Sequence, residues 1–197
     1  QMIIGLTGAN ASGKGEAAEY LRSKSFEYYS LSDILRERAN AKGIVPSREN
    51  MIRLGNELRE KSGPSSLADL TIKKIKGKNN YVIDSIRNPF EIKALRKLDN
   101  FTLIGVDAPL EIRFKRAIAR NRPGDPDTLQ EFIEKEKKEN ITSSTNQQLE
   151  NCLKMADVLI INDSTIEEFH KRIDEAVKTF CRGGFKTLPY SADRAVQ

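Results

Sequence analysis

Histidine, cysteine, tryptophan and long apolar runs are scarce or missing in this 197-residue chain, and each shortage removes a class of explanation. A single histidine, His170, argues against a histidine-centred nucleophilic triad, and its neighbours Glu167, Glu168 and Lys171 read as a surface helix. The two cysteines, Cys152 and Cys181, have no metal-ligand spacing. They fit a reducing, cytoplasmic setting better than a disulfide scaffold. No apolar run approaches the ~20 residues of a membrane span and no secretory signal is visible, so no membrane association is expected. Charge is not one-sided either: 33 Lys and Arg against 28 Asp and Glu leave +5. Acids are interspersed with the bases, as in 134–139, which argues against a nucleic-acid partner.

What is present is concentrated near the start. A short apolar run, Met2 to Leu6, meets Gly8-Ala9-Asn10-Ala11-Ser12-Gly13-Lys14-Gly15-Glu16, and a helix-forming segment follows. This is the strand–loop–helix setting of a phosphate-binding loop. Gly8 and Gly13 permit the backbone angles that turn successive N–H groups inward, and the helix N-terminus adds partial positive charge. Lys14 can then reach the outer phosphates of a nucleoside triphosphate. Gly15 stands where such loops usually carry Ser or Thr for Mg²⁺, so a metal must be held otherwise, through water and a carboxylate.

Apolar runs alternate with helical patterns, which predicts an α/β, three-layer α/β/α P-loop fold on a five-stranded parallel sheet. Strands are expected at Ile3–Thr7, Glu27–Ser30, Tyr81–Asp84, Thr102–Asp107 and Val158–Asn162. Helices are expected at Lys14–Ser23, from Ser32 as N-cap, from Ser47 to about Lys61, at Ser66–Ile75, Pro89–Lys97, Pro109–Ala119, Pro126–Asn140 and Thr165–Phe180. The kinase-like domain would span 2–180. Within it, 32–76 carry more helix than a crossover needs and read as an inserted acceptor-binding lobe. Residues 120–148, with Pro123-Gly124-Asp125-Pro126 before a charged helix, read as a lid. The tail, 181–197, lacks periodicity and reads as a linker to a fused domain or a docking arm for a protein partner.

Phosphoryl transfer needs a donor cradle, cations around the transferred group, a metal and an acceptor site. Asp84 ends a strand at the edge of a parallel sheet where ligands bind, and could hold Mg²⁺ or take a proton. Arg87, three residues on, suits a planar phosphate clamp. Asp33 and Arg36 fall in the first turns of the next helix and suit an acceptor phosphate. Arg113, Arg116 and Arg120 share one helix face, and Arg122 follows beside the lid. Together they could close over a triphosphate and stabilise developing charge. Phe26, Tyr28 and Tyr29 read as core.

These residues together resemble nucleoside monophosphate kinases of the adenylate kinase type: the glycine loop, Ser32-Asp33-Ile34-Leu35-Arg36, and Asp84-Ser85-Ile86-Arg87 with the later arginines. The segment from Asp84 to Glu91 is also similar to deoxynucleoside monophosphate kinases. The helical insertion around Leu58 to Pro64, the Arg113-Phe114 helix and the strand Ala156 to Asn162 resemble dephospho-CoA-kinase-like proteins. The resemblance covers about 2–180. It implies ATP and Mg²⁺ as cofactors, Lys14, Asp84, Arg116 and Arg120 as catalytic groups, Asp84 at the metal, and Asp33, Arg36 and Arg87 at the acceptor, with Arg113 and Arg122 in the lid. The expected activity is γ-phosphoryl transfer to a (deoxy)nucleoside monophosphate, a small-molecule nucleotide acceptor. Dephospho-CoA as acceptor and a nucleotide-binding regulatory module are the alternatives.

Overall fold

A computed structural model describes residues 1–121, 125–140 and 147–181. Five strands run in sequence order as β1 (Ile3–Thr7), β2 (Glu27–Ser30), β3 (Tyr81–Ile86), β4 (Phe101–Asp107) and β5 (Val158–Ile161). They form one all-parallel sheet in the spatial order β2-β3-β1-β4-β5. The period of two along each strand divides the core. Ile3, Tyr81, Ile83 and Leu103 face one layer, while Ile4, Val82 and Ile104 face the other. Strands with both faces covered read as continuous apolar runs, which is why they were legible.

Nine helices occur among the described residues: α1 (Lys14–Ser23), α2 (Leu31–Ala41), α3 (Arg48–Ser62), α4 (Ser66–Ile72), α5 (Pro89–Leu95), α6 (Leu110–Arg120), α7 (Leu129–Glu139), α8 (Leu149–Lys154) and α9 (Ile166–Cys181). Helices α2, α3, α4 and α5 pack on one face through Leu31, Leu54, Leu67 and Ile92, and α1 and α9 cover the other through Leu21 and Ile173. Three helices do lie between β2 and β3.

Several boundaries differ from expectation. Ser30, not Ser32, caps α2: its backbone stays extended and its Oγ accepts from the Ser32 amide, so strand and helix abut without a loop. Ser47 caps α3 as expected, accepting from Asn50 N at 3.3 Å. Helix α4 ends at Ile72, with single turns carrying the chain on through Ile75. Helix α7 starts at Leu129 behind a Thr128 cap rather than at Pro126. Strand β3 continues past Asp84 to Ile86 because its pairing with β1 resumes, after an irregularity, at Thr7. Helix α8 was not anticipated. It has only six residues, too few to show a period. Phe26 is buried and Tyr28 and Tyr29 partly buried, as the core reading requires. Among the described residues no helix is long and apolar enough to cross a membrane. Arg122, Pro123-Gly124 and the tail from Arg182 fall outside the described residues.

Candidate functional site

β1 is central, flanked by β3 and β4, and the loop leaving its carboxyl end is the site's floor. Two glycines are structurally required there. A Cβ on Gly8 (φ 151°) would lie 2.0 Å from the Val106 carbonyl oxygen, and one on Gly13 (φ 108°) would lie 2.2 Å from Asn162 Nδ2. Asn162, just past β5, fastens the loop by donating from Nδ2 to Ser12 O at 3.0 Å. Close backbone approach and positive φ thus bar a side chain at either position.

Lys14 folds back over this loop, its Nζ donating to Gly8 O at 2.7 Å and Ala9 O at 2.8 Å. Desolvation, reinforced by the nearby Arg87 charge and opposed by Asp84, lowers its pKa to about 7. Glu16, predicted among the phosphate-loop residues, turns the other way and pairs with His170 Nε2 at 2.7 Å. His170 is accordingly only partly exposed and stacks on Tyr20 with centroids 3.8 Å apart, rather than lying free on the surface.

The three predicted α6 arginines all reach the loop, which their i, i+3, i+7 spacing allows. Arg113 donates from Nη1 to Asn10 O at 3.4 Å and from Nε to Ala108 O at 2.9 Å, and also pairs with Glu136 of α7. Arg116 donates to Ser12 O and to Asn162 O at 3.4 and 3.1 Å. Arg120 donates to Asn10 Oδ1 at 2.9 Å and forks onto Asp125 at 2.8 Å with two nitrogens.

Across the crevice, Asp84 accepts from the Ser85 amide at 2.6 Å. Ser85 sits at φ 65°, an uncommon angle for a non-glycine residue, where β3 kinks beside the loop. Burial holds the Arg87 guanidinium below its ordinary pKa. Its Nη1 donates to Gln147 Oε1 at 3.1 Å, while its carbonyl accepts from Gln148 N at 2.7 Å. Arg87's amide and that of Asn88 both donate to Glu91 Oε2, at 2.9 and 3.1 Å. Glu91 Oε1 takes Arg59 Nε and Nη2 at 3.0 and 2.7 Å. Both members of that pair are buried, at 3% and 0% exposure, so α3 is locked to the Arg87 segment. Asp33 and Arg36 are less engaged: they pair with each other, half-exposed, and Arg36 also donates to Ser32 Oγ at 3.0 Å.

Sequence reasoning missed Asp107, Arg48 and the Arg59–Glu91 pair. Asp107 ends β4 as Asp84 lies near the end of β3, and that parallel was the available signal. Burial raises its pKa, against Arg113 and Lys14. Arg48 and Arg59 carried no local signal, because their partners Glu139 and Glu91 lie 91 and 32 residues away. Two surface grooves, of about 730 and 790 Å³, line the α1–β2 edge and the amino ends of the strands, and neither includes a residue of the glycine loop.

Residues 7–134 match the family model described as an AAA domain. The UPF0200 protein of Pyrococcus horikoshii is 33% identical over 183 residues, covering 89% of this chain and 96% of that protein. This chain belongs to the UPF0200 family. The UPF0200 protein of Sulfurisphaera tokodaii is 34% identical, covering 89% of this chain and 96% of its own length. Among solved structures, TT1252 from Thermus thermophilus superposes with a TM-score of 0.60 at 21% identity, covering 90% of this chain and 96% of that one. Shikimate kinase from Aquifex aeolicus superposes with a TM-score of 0.54 at 18% identity, covering 93% and 100%. At these identities the likeness is one of fold, and it agrees with the family match in placing this UPF0200 protein in the P-loop nucleotide-kinase-like superfamily.

Proposed function

We propose that this UPF0200 protein is an ATP-dependent kinase that transfers the γ-phosphoryl group to a small phosphorylated acceptor, a (deoxy)nucleoside monophosphate. The observation that carries this reading is convergence: Lys14 and the three α6 arginines meet on one glycine loop, with Asp84 and Arg87 facing them across the crevice. Such a transition state spreads charge over the γ-phosphoryl oxygens, and fixed cations around it are the main catalytic need.

In the reaction, an acceptor oxygen forms a bond to the γ-phosphorus as the bond to the β–γ bridging oxygen breaks. ADP leaves and the acceptor gains one phosphoryl group. Lys14 swings from Gly8 O and Ala9 O onto donor phosphate, which replaces two carbonyl dipoles with a full anion. Arg113, Arg116 and Arg120 hold the loop and neutralise developing charge. Arg87 orients the acceptor, with Asp33 and Arg36 at the crevice mouth.

The residues present suit Mg²⁺. A Cβ added at Gly15 would meet nothing within 4 Å, so the space a hydroxyl usually fills is open to water. Mg²⁺ keeps several waters and needs only one or two protein carboxylates beside substrate phosphates. Asp84 would hold it, and the ion would supply charge neutralisation on the phosphates.

The test is ADP release from ATP and Mg²⁺ across nucleoside monophosphates, deoxynucleoside monophosphates, nucleosides and dephospho-CoA. Turnover with one phosphorylated acceptor is expected. Lys14→Ala should lower kcat by at least about 100-fold with the fold retained by circular dichroism. Binding of ATP without turnover on any acceptor would replace the kinase with a nucleotide-binding regulatory module.

A further inference from the structure

Two like charges act on each other beside the crevice. Arg48 opens α3, and Arg87 follows β3. The charges felt most by the Arg87 guanidinium are Glu139, which favours it, and Arg48, which opposes it. Arg48 is three-quarters buried. Two guanidinium groups brought together away from water repel unless an anion lies against both.

Against Arg48 that anion is a side chain of the protein itself, and its charge also favours the Arg87 guanidinium. Glu139, the last residue of α7, accepts from Arg48 Nε and Nη2 at 2.7 Å each, and Asp125 approaches Arg48 at 3.9 Å. The paired contact is the fork that a guanidinium offers to a carboxylate or a phosphate alike.

Both charges sit on the wrong end of their helices. Arg48 is a cation at the positive, N-terminal end of α3, and Glu139 is an anion at the negative, C-terminal end of α7. Local helix electrostatics disfavours each of them, so the pair owes its existence to what the tertiary fold brings together. An external anion on Arg48 would gain the α3 dipole without suffering that of α7. Helix α7 has one buried residue, Phe132, and its far end is held by Glu136 on Arg113 and Glu139 on Arg48.

We propose that Arg48 and Arg87 form the clamp for the acceptor's anionic group, and that Glu139 fills it as a stand-in until an oxyanion displaces it. This rests on the kinase reading and adds the residues that hold the acceptor's oxyanion, so neutral nucleosides and sugars are poor ligands. Arg48 replaces Arg36 as the partner of Arg87, since Arg36 is half-exposed and engaged by Asp33.

The test titrates wild type, Glu139→Gln, Arg48→Ala/Glu139→Gln and Arg48→Lys/Glu139→Gln with AMP, inorganic phosphate and shikimate by calorimetry. Saturating ADP is present to occupy the glycine loop. Glu139→Gln should bind at least one of these anions about tenfold more tightly than wild type. The Arg48→Ala double variant should lose the gain. The Arg48→Lys double variant, which keeps the charge and loses the fork, should lose most of it. A gain for AMP and phosphate assigns a phosphate acceptor, and a gain for shikimate assigns a carboxylate. Equal affinities in wild type and Glu139→Gln, or a gain that survives loss of Arg48, overturns the clamp. ADP affinity is read separately: its absence in wild type would sink the kinase reading, whereas intact ADP binding without the Glu139 effect would sink only the clamp.

Discussion

The arginines of α6 and those that the proposed function places at the acceptor are held in different ways. Arg113, Arg116 and Arg120 each bond to the glycine loop, two of them to its backbone carbonyls. The guanidinium groups of Arg36, Arg48 and Arg87 bond, as that of Arg120 does, to side chains: Asp33, Glu139 and Gln147. Backbone carbonyls are fixed by the fold, so Arg113 and Arg116 are placed in advance, which on the kinase reading costs little reorganisation when charge develops. Side-chain partners can leave, so the acceptor side is exchangeable.

The largest effect that could break this comparison lies beneath the acceptor side. Arg59→Met strips a buried guanidinium from Glu91, leaving a fully buried carboxylate that still carries the Arg87 and Asn88 amides. Loss of about 3–5 kcal/mol in urea unfolding is expected. A change under about 1 kcal/mol would show that this side is not anchored at its base, and that Arg87 is positioned by Gln147 and Gln148 alone.

A smaller effect sharpens the donor side. With its pKa near 7, Lys14 is mostly neutral above that pH in the free protein. A bound polyphosphate favours the charged form, so binding should take up protons above pH 7, and affinity should fall as pH rises through that range. Below pH 7 the amine is protonated in both states and this linkage vanishes. Calorimetry at pH 8 in buffers of different ionisation enthalpy should show uptake approaching one proton per ATP. Lys14→Arg, charged in both states, should abolish it. Unaltered uptake in that variant would mean that another group is responsible.

The smallest effect concerns Arg36. Its exposed pair with Asp33 should contribute little, so Arg36→Ala should shift stability by less than about 0.5 kcal/mol. That near-silence makes it a clean probe: a raised acceptor KM with unchanged melting would show Arg36 acting on the acceptor beside Arg87. An unchanged KM would leave the clamp to Arg48 and Arg87.

Much of the fold was legible in the sequence because the deciding interactions are local. Strands β1 and β2 and helix α1 fall where apolar run length, glycine spacing and helix periodicity place them. Errors gathered where two local signals competed. Ser30 and Ser32 are both competent caps, and only the point where β2 pairing with β3 ends, at Ser30 opposite Asp84, selects the first. Of the site, the loop and the α6 face were legible, since three residues at i, i+3 and i+7 of a helix share a side. The Asp33–Arg36 pair was visible too, but not that it would lie half-exposed.

The sequence by itself determined the glycine loop, the parallel α/β alternation and the arginine stripe of α6, because each depends on backbone geometry within one element and its neighbours. Only the tertiary structure decided that Lys14 would be desolvated, that Glu91 would bind α3 through Arg59, and that Glu139 would meet Arg48. Those are encounters between distant charges, and their energies depend on burial and separation, quantities that come into being when the chain folds.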